Sequence, residues 1–167
     1  MGFEEIWSEI PEFPQYEVSN LGNIYNTTRD IPIRTSATRE GDIKVSLTGL
    51  YNRRTMSVKY LVAQAFVFQP SPLFNAVISM DGNSRNVAAY NLAWRPRWFA
   101  WKYPQQFKWG IDDRYLEHHK IVDMNTKIEY SSVFDAATST GSLMEEVWKS
   151  IQIGDRPYPS QGPFTII

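Results

Sequence analysis

The sequence contains no cysteine, which excludes disulfides and every zinc site built on thiolates. Histidine is almost as scarce, since the adjacent pair His118 and His119 is the whole supply. No stretch is apolar for long enough to cross a bilayer. The opening segment MGFEEIWSEI carries Glu4, Glu5 and Glu9 without an apolar run, so it does not read as a signal peptide. Ile6 stands where an N-myristoylation site wants Ser or Thr. A basic excess is missing too: 17 Lys and Arg against 18 Asp and Glu leave a net charge of −1. Proteins that grip DNA draw much of their affinity from neutralising phosphates. Neutrality therefore disfavours DNA as a partner while leaving room for a local basic patch. A soluble chain made inside a cell is expected.

What is present suits a small globular fold. The 167 residues favour one compact unit or two or three small modules. Nine glycines and ten prolines predict many turns, and 14% aromatic content is high. Residues 16–25 (YEVSNLGNIY) predict a hairpin turning at Asn20–Asn23. Ile43, Val45 and Leu47 alternate with polar neighbours as in a half-buried strand, and a second strand is expected over 55–58. Apolar spacing predicts a short buried helix over 60–68, stopped by Pro70 and Pro72. The stretch VISMDGNSRNVAAYNLAW (77–94) predicts a strand, a DGN turn, a second short strand and a helix starting near Asn91. Beyond residue 120 come a hairpin turning at Asn125–Thr126 and two helices. The first is capped by Ser131 or Ser132 and ends at Gly141, and the second opens on a capping box of Ser142 and Glu145. A helix, a turn containing Gly and a second helix make a helix-turn-helix arrangement.

Two surfaces invite a functional reading. From 94 to 115 the chain is crowded with aromatic residues, which either fill a small core or anchor a partner. Trp98, Trp101, Tyr103 and Trp109 are the candidate anchors, because Trp and Tyr dominate interface hot spots. The most basic stretch holds Arg53, Arg54, Lys59, Arg85, Arg95 and Arg97, with Lys102 and Lys108 beyond. It is either a residual DNA-binding face or a solvated surface. Residues 1–40 lean the other way, with Glu4, Glu5, Glu9, Glu12, Glu17, Asp30 and Glu40 against Arg29, Arg34 and Arg39.

Three segments together resemble the phage-type HNH homing endonucleases. IWSEIPEFPQYEVSNLGNIY (6–25) is similar to their N-terminal module. VKYLVAQAFV (58–67) and VISMDGNSRNVAAYNLAW resemble their catalytic unit. KIVDMNTKIEYSSVFDAATSTGSLMEEVWKSIQIG (120–154), with Gly162-Pro163-Phe164, resembles their DNA-binding helix-turn-helix module. The resemblance implies an α+β fold of small antiparallel hairpins, a central ββα unit and a C-terminal hairpin plus helix-turn-helix. It divides the chain into an N-terminal nuclease-associated module (1–40), an HNH unit (41–103), an aromatic linker (104–119) and a helix-turn-helix-like module (120–167).

The same resemblance implies a site of four working positions: a metal ligand, a histidine base, an asparagine opening the helix, and a distal ligand. They fall at Ile78, Ser79, Asn91 and Ala100. Serine is no base near neutral pH, and neither Ile nor Ala offers a donor atom. Both arginine positions of the family's first module are Asn23 and Tyr25, and the second helix of the last module begins with Glu145 and Glu146, which repel phosphate. The adjacent His118 and His119 point to opposite sides of an extended chain, so only one could reach a site; a solvated pair is expected.

A chain that keeps the frame and lacks the chemistry is expected to be catalytically inactive. The expected role is a non-catalytic binding or structural one with protein partners, such as decoration of a phage virion after synthesis in the host cytoplasm. No membrane, cofactor or metal belongs to that expectation. The alternatives are an active DNA-nicking HNH homing endonuclease with a divergent site, using magnesium or manganese, and a DNA-binding regulator.

Overall fold

A computed structural model describes residues 4–108, 119–159 and 162–167. The chain divides into two compact units, residues 1–97 and 98–167. The fold is α+β, with short antiparallel sheets and helices.

In the first unit, β1 (Trp7–Ile10), β2 (Phe13–Ser19), β3 (Ile24–Asn26) and β4 (Ile31–Ile33) form one sheet in chain order. Asn20–Asn23 is the turn between β2 and β3, where the sequence places it. Ser19 Oγ accepts from the Leu21 and Asn23 amides, and Gly22 takes the positive φ of 91° that the reversal needs. A second sheet holds β5 (Ser36–Ala37), β6 (Ile43–Thr48) and β7 (Arg53–Ser57). In β6 the alternation is real: Val45 and Leu47 are buried.

Helix α1 (Val58–Phe66) follows β7 without a loop and buries Val58, Leu61 and Val62 at helical spacing. It ends earlier than the apolar run suggests, and Phe68 stands 84% exposed beyond it. Strand β8 (Ala76–Ser79) pairs antiparallel with β9 (Leu92–Arg95). Trp94 packs edge-on against Tyr60 and donates its indole N–H to the Ala63 and Val67 carbonyls at the end of α1. The Ala63 carbonyl also accepts from the Val67 amide, so the indole N–H adds to the closure of the helix end. One hydrophobic core runs from Phe13, Val18 and Ile24 through Val45, Leu47, Leu61 and Val62 to Val77, Leu92 and Trp94.

The expected helix starting near Asn91 is not there. Ala89–Asn91 is a 3-10 turn, Leu92–Arg95 is strand, and helix α2 spans Arg97–Lys102. Pro96 explains the delay, because a residue before proline is driven out of the α region.

In the second unit, α2 leads into a 3-10 turn over Tyr103–Phe107. Strands β10 (Ile121–Asp123), β11 (Glu129–Tyr130) and β12 (Phe164–Ile166) form a sheet in the order β11-β10-β12. Helices α3 (Val133–Thr140) and α4 (Met144–Ile153) pack on it around Ile121, Ala136, Ala137, Val147 and Phe164. Ser132 caps α3 through the Asp135 amide, and Gly141 closes it at φ 63°. The capping box expected at Ser142 does not form. Ser142 donates its amide back to Ala137 and belongs to the end of α3, and Leu143 is the N-cap of α4 with no side-chain bond. Gln106 Oε1 instead accepts from the Met144 amide at 3.1 Å.

Candidate functional site

The β8–β9 pair sets Ser79 opposite Leu92 and Ile78 opposite Ala93. Between them the chain folds into a knot of short hydrogen bonds around Asp81. Its Oδ1 accepts from the Asn83 amide at 2.8 Å and from Asn91 Nδ2 at 2.9 Å, and its Oδ2 accepts from Asn86 Nδ2 at 2.8 Å. Asn91 returns the favour by accepting the Asp81 amide at 3.0 Å, and its Nδ2 also reaches the Asn86 carbonyl at 2.9 Å. Gly82 sits at φ 73°, as a tight turn after Asp81 requires. Aspartate and asparagine hold such turns because their short side chains bond the backbone two residues on. The D-G-N, Asn86 and N-L-x-W elements of the sequence are thus one interlocked structure.

That structure is fastened to the first sheet. The Ala89 amide donates to the Asn20 carbonyl at 2.8 Å. A Cβ on Gly22 would lie 2.3 Å from Val87 Cγ2, so glycine lets the β2–β3 turn close on the loop before β9. Asn20 in turn accepts from the Ile6 amide and donates to the Glu4 carbonyl. At the two positions where the family carries arginine, Asn23 donates to Glu5, and the Tyr25 hydroxyl donates to Asp30 at 2.6 Å.

Of the four positions implied by the resemblance, Asn91 is buried within the turn and works as a strut. Ile78 and Ser79 are both buried, and Ser79 Oγ has no hydrogen-bond partner among the described residues. Ala100 lies in α2. The divalent ion implied by the family finds no fitting donor set. Ile78 and Ala100 carry apolar side chains, and among the described residues no three His, Cys, Asp or Glu side chains gather in one place.

The residues of the two candidate surfaces differ in exposure and partners. Trp98 and Trp101 are 57% and 69% exposed, but Tyr103 is buried at 1%. Phe99, Tyr103 and Phe107 recur every four residues and form a chain of ring contacts, stacked at the first pair and edge-on at the next two, that reaches Phe134. Tyr103 therefore fills a core and offers nothing to a partner. Trp109 and His118 lie outside the described residues. Arg53, Arg85 and Arg97 are exposed. Arg54 pairs with Glu12, and Lys59 lies 3.6 Å from Asp42. Arg95 leaves the basic face altogether: it is buried and donates to the Trp94 carbonyl at 2.7 Å. Glu145 pairs with Lys102 at 3.2 Å. No helix among the described residues is long and apolar enough to cross a membrane.

Comparison with known proteins places these features. Residues 5–59 match the NUMOD4 motif. An uncharacterized HNH endonuclease of Acanthamoeba polyphaga mimivirus is 38% identical over 88 residues, covering 53% of this chain and 26% of that protein. A second one from the same virus is 29% identical over 148 residues, covering 82% of this chain and 35% of the relative. The chain thus spans about a quarter to a third of the length of the curated relatives it matches. A solved structure described as DNA binding and cleavage by the HNH homing endonuclease I-HmuI shares the fold. Its TM-score is 0.55 at 21% identity, over 97% of this chain and 98% of the other.

These likenesses correct the expectation of an inactive structural protein with protein partners. Both curated relatives carry the name of an endonuclease, and the solved structure that shares the fold is described as DNA binding and cleavage. The physical reason for the error lies in averaging. A net charge of −1 pools an acidic first stretch with a basic one around Arg53, Arg85 and Arg97, whereas DNA meets only the local surface. Ile78 and Ser79 remove a donor and a base, while the turn that follows them from Asp81 to Asn91 is closed by hydrogen bonds.

Proposed function

We infer that this chain, a relative of the HNH homing endonucleases that carries a NUMOD4 motif, binds duplex DNA and nicks it through a divergent HNH site. The observation that carries this reading is the closed turn of Asp81, Asn86 and Asn91. Its hydrogen bonds fix the segment that follows position 79, where the family keeps its base, and tie that segment to the first sheet at Asn20. The names of the curated relatives and the description of the I-HmuI structure support it. Ile78 and Ser79 occupy the ligand and base positions of the divergent site. Serine does not take a proton from water near neutral pH, so scission here proceeds without a base at residue 79 and is slow. The protein works where DNA is, inside a cell.

The test is a plasmid relaxation assay on the full chain. Supercoiled plasmid is incubated with magnesium or manganese, and retention on duplex DNA is followed in parallel at low salt. Conversion to the nicked circle is the expected result. Binding without nicking in either ion overturns the nuclease half and leaves a DNA-binding regulator. Absence of binding even at low salt overturns the whole reading.

A further inference from the structure

The most exposed pair of large apolar residues in the first unit lies away from the Asp81 turn. Leu50 is 93% exposed and Tyr51 is 100% exposed, and together they form the apex of the β6–β7 hairpin. Two adjacent apolar side chains standing wholly in water stabilise nothing in the fold. The hairpin beneath them is nonetheless held rigidly. Five pairs from Lys44↔Ser57 to Thr48↔Arg53 set its register, and the Gly49 amide donates to the Asn52 carbonyl at 2.7 Å.

Its neck is bolted to β2. Gln15 Nε2 donates to the Thr48 carbonyl at 2.5 Å, and the Thr48 amide donates to the Tyr16 hydroxyl at 3.4 Å. A Cβ on Gly49 would meet Asn52 Oδ1 at 2.7 Å and the buried Phe13 ring at 3.3 Å, so the neck sits directly on the core. A tip that is apolar, fully exposed and already ordered loses little freedom when it enters another molecule.

The charges around the tip indicate which molecule. Arg53 and Arg54 follow it in sequence and are exposed, and Arg29 lines the same surface hollow as Leu50. Glu12 pairs with Arg54, and Asp30 accepts from the Tyr25 hydroxyl. The other strongly exposed apolar pair, Phe68 and Leu73 at 84% and 76%, sits in a stretch from 60 to 84 that contains no Lys or Arg. The hairpin combines an apolar point with cations on its flanks. Proteins that bend DNA insert apolar wedges between base steps while basic side chains hold the phosphates on either side.

We propose that the β6–β7 hairpin is a DNA wedge: Leu50 and Tyr51 enter a groove and unstack one base step, and Arg53, Arg54 and Arg29 hold the flanking phosphates. The wedge rests on the DNA-binding reading above but assigns a separate place and a separate act, distortion of the duplex. It gives the chain a means of preferring easily unstacked pyrimidine–purine steps without reading base edges.

The test uses the full chain and end-labelled duplexes of mixed sequence, about 30 base pairs long. Affinity is read by anisotropy and bending by energy transfer between the two ends. The wild-type chain is expected to bind and to shorten the end-to-end distance. The Leu50→Ser/Tyr51→Ser double variant, changed only at exposed positions, is expected to lose the bend and bind about tenfold more weakly, with its salt dependence unchanged. Arg53→Gln is expected to keep the bend and lower the salt slope by about one. A double variant that binds and bends like wild type overturns the wedge, as does a wild-type complex with straight DNA. If wild type fails to bind at all, the DNA-binding reading falls and the wedge falls with it.

Discussion

Asn91 grips Asp81 from both sides, accepting its backbone amide at 3.0 Å and donating to its carboxylate at 2.9 Å. The pair links the entrance of the loop to its exit, and Asn91 is almost fully buried while doing so. An asparagine at this place is thus accounted for by the turn alone.

Removing it should therefore cost stability before it costs chemistry. Asn91→Ala leaves the Asp81 amide and carboxylate short of partners, which lowers unfolding free energy by about 1–3 kcal/mol. Urea denaturation checks this, and an unchanged midpoint would show that the knot contributes nothing.

Gly22 gives a second stability prediction with an internal control. Gly22→Ala adds a Cβ against Val87 at a φ of 91°, so it should destabilise the first unit by at least about 1 kcal/mol. Val87→Ala in that background removes the clashing Cγ2 but not the backbone strain. It should recover part of the loss, and full recovery or none would contradict this division between contact and strain.

The catalytic reading makes the opposite kind of prediction, a gain. Ser79→His places an imidazole at the base position, just before the closed Asp81 turn. A positioned general base contributes about 10²–10⁴-fold, so nicking of supercoiled plasmid should rise by about 10²-fold or more. A variant that folds, binds DNA and nicks no faster than the parent would show that position 79 does not face the scissile bond.

Two acids should make the fold sensitive to acid. Burial pushes the Asp42 carboxyl up, but the Lys44 hydrogen bond, the charges of Lys59 and Lys44 and the Ser57 hydroxyl outweigh it and hold it below the ordinary value of 3.8. Asp135 is held low chiefly by the Ser131 amide, against burial, with the Ser131 and Ser139 hydroxyls assisting. A depressed carboxylate contributes stability that is full above its unfolded value and is lost as pH falls through the folded one. The gap in urea midpoint between wild type and Asp42→Asn should accordingly be widest near neutrality and shrink below pH 3.8. A gap that widens on acidification would reverse the assignment.

Legibility followed the range of the interactions. The Asn20–Asn23 hairpin, the β6 alternation, the Ser132 cap and the Gly141 stop depend on neighbours in sequence, and their residue types announce them. Ser142 carries an equally good local signal and does something else, because Gln106 reaches the start of α4 from 38 residues away. Leu92–Arg95 has the composition of a helix and becomes a strand because β8 needs a partner and Pro96 closes the α region behind it. In the aromatic stretch, the four-residue spacing of Phe99, Tyr103 and Phe107 marked the inward stripe, while the exposed Trp98 and Trp101 fall off it. The resemblance pointed to the stretch from Val77 to Trp94. What it did not convey is that Asp81 and Asn91 hold each other, so that the loop keeps its shape whatever stands at 78 and 79.

The NUMOD4 match stops at residue 59, one residue after α1 begins. Val58, Leu61 and Val62 share a core with Phe13, Val18 and Ile24 on one side and with Val77, Leu92 and Trp94 on the other. A gene fusion or truncation cut at the end of that match would sever a helix and open the core it fills. The stretch that the motif covers and the stretch that folds are different lengths here, and a transplant of this module succeeds only if it carries the polypeptide through Arg95.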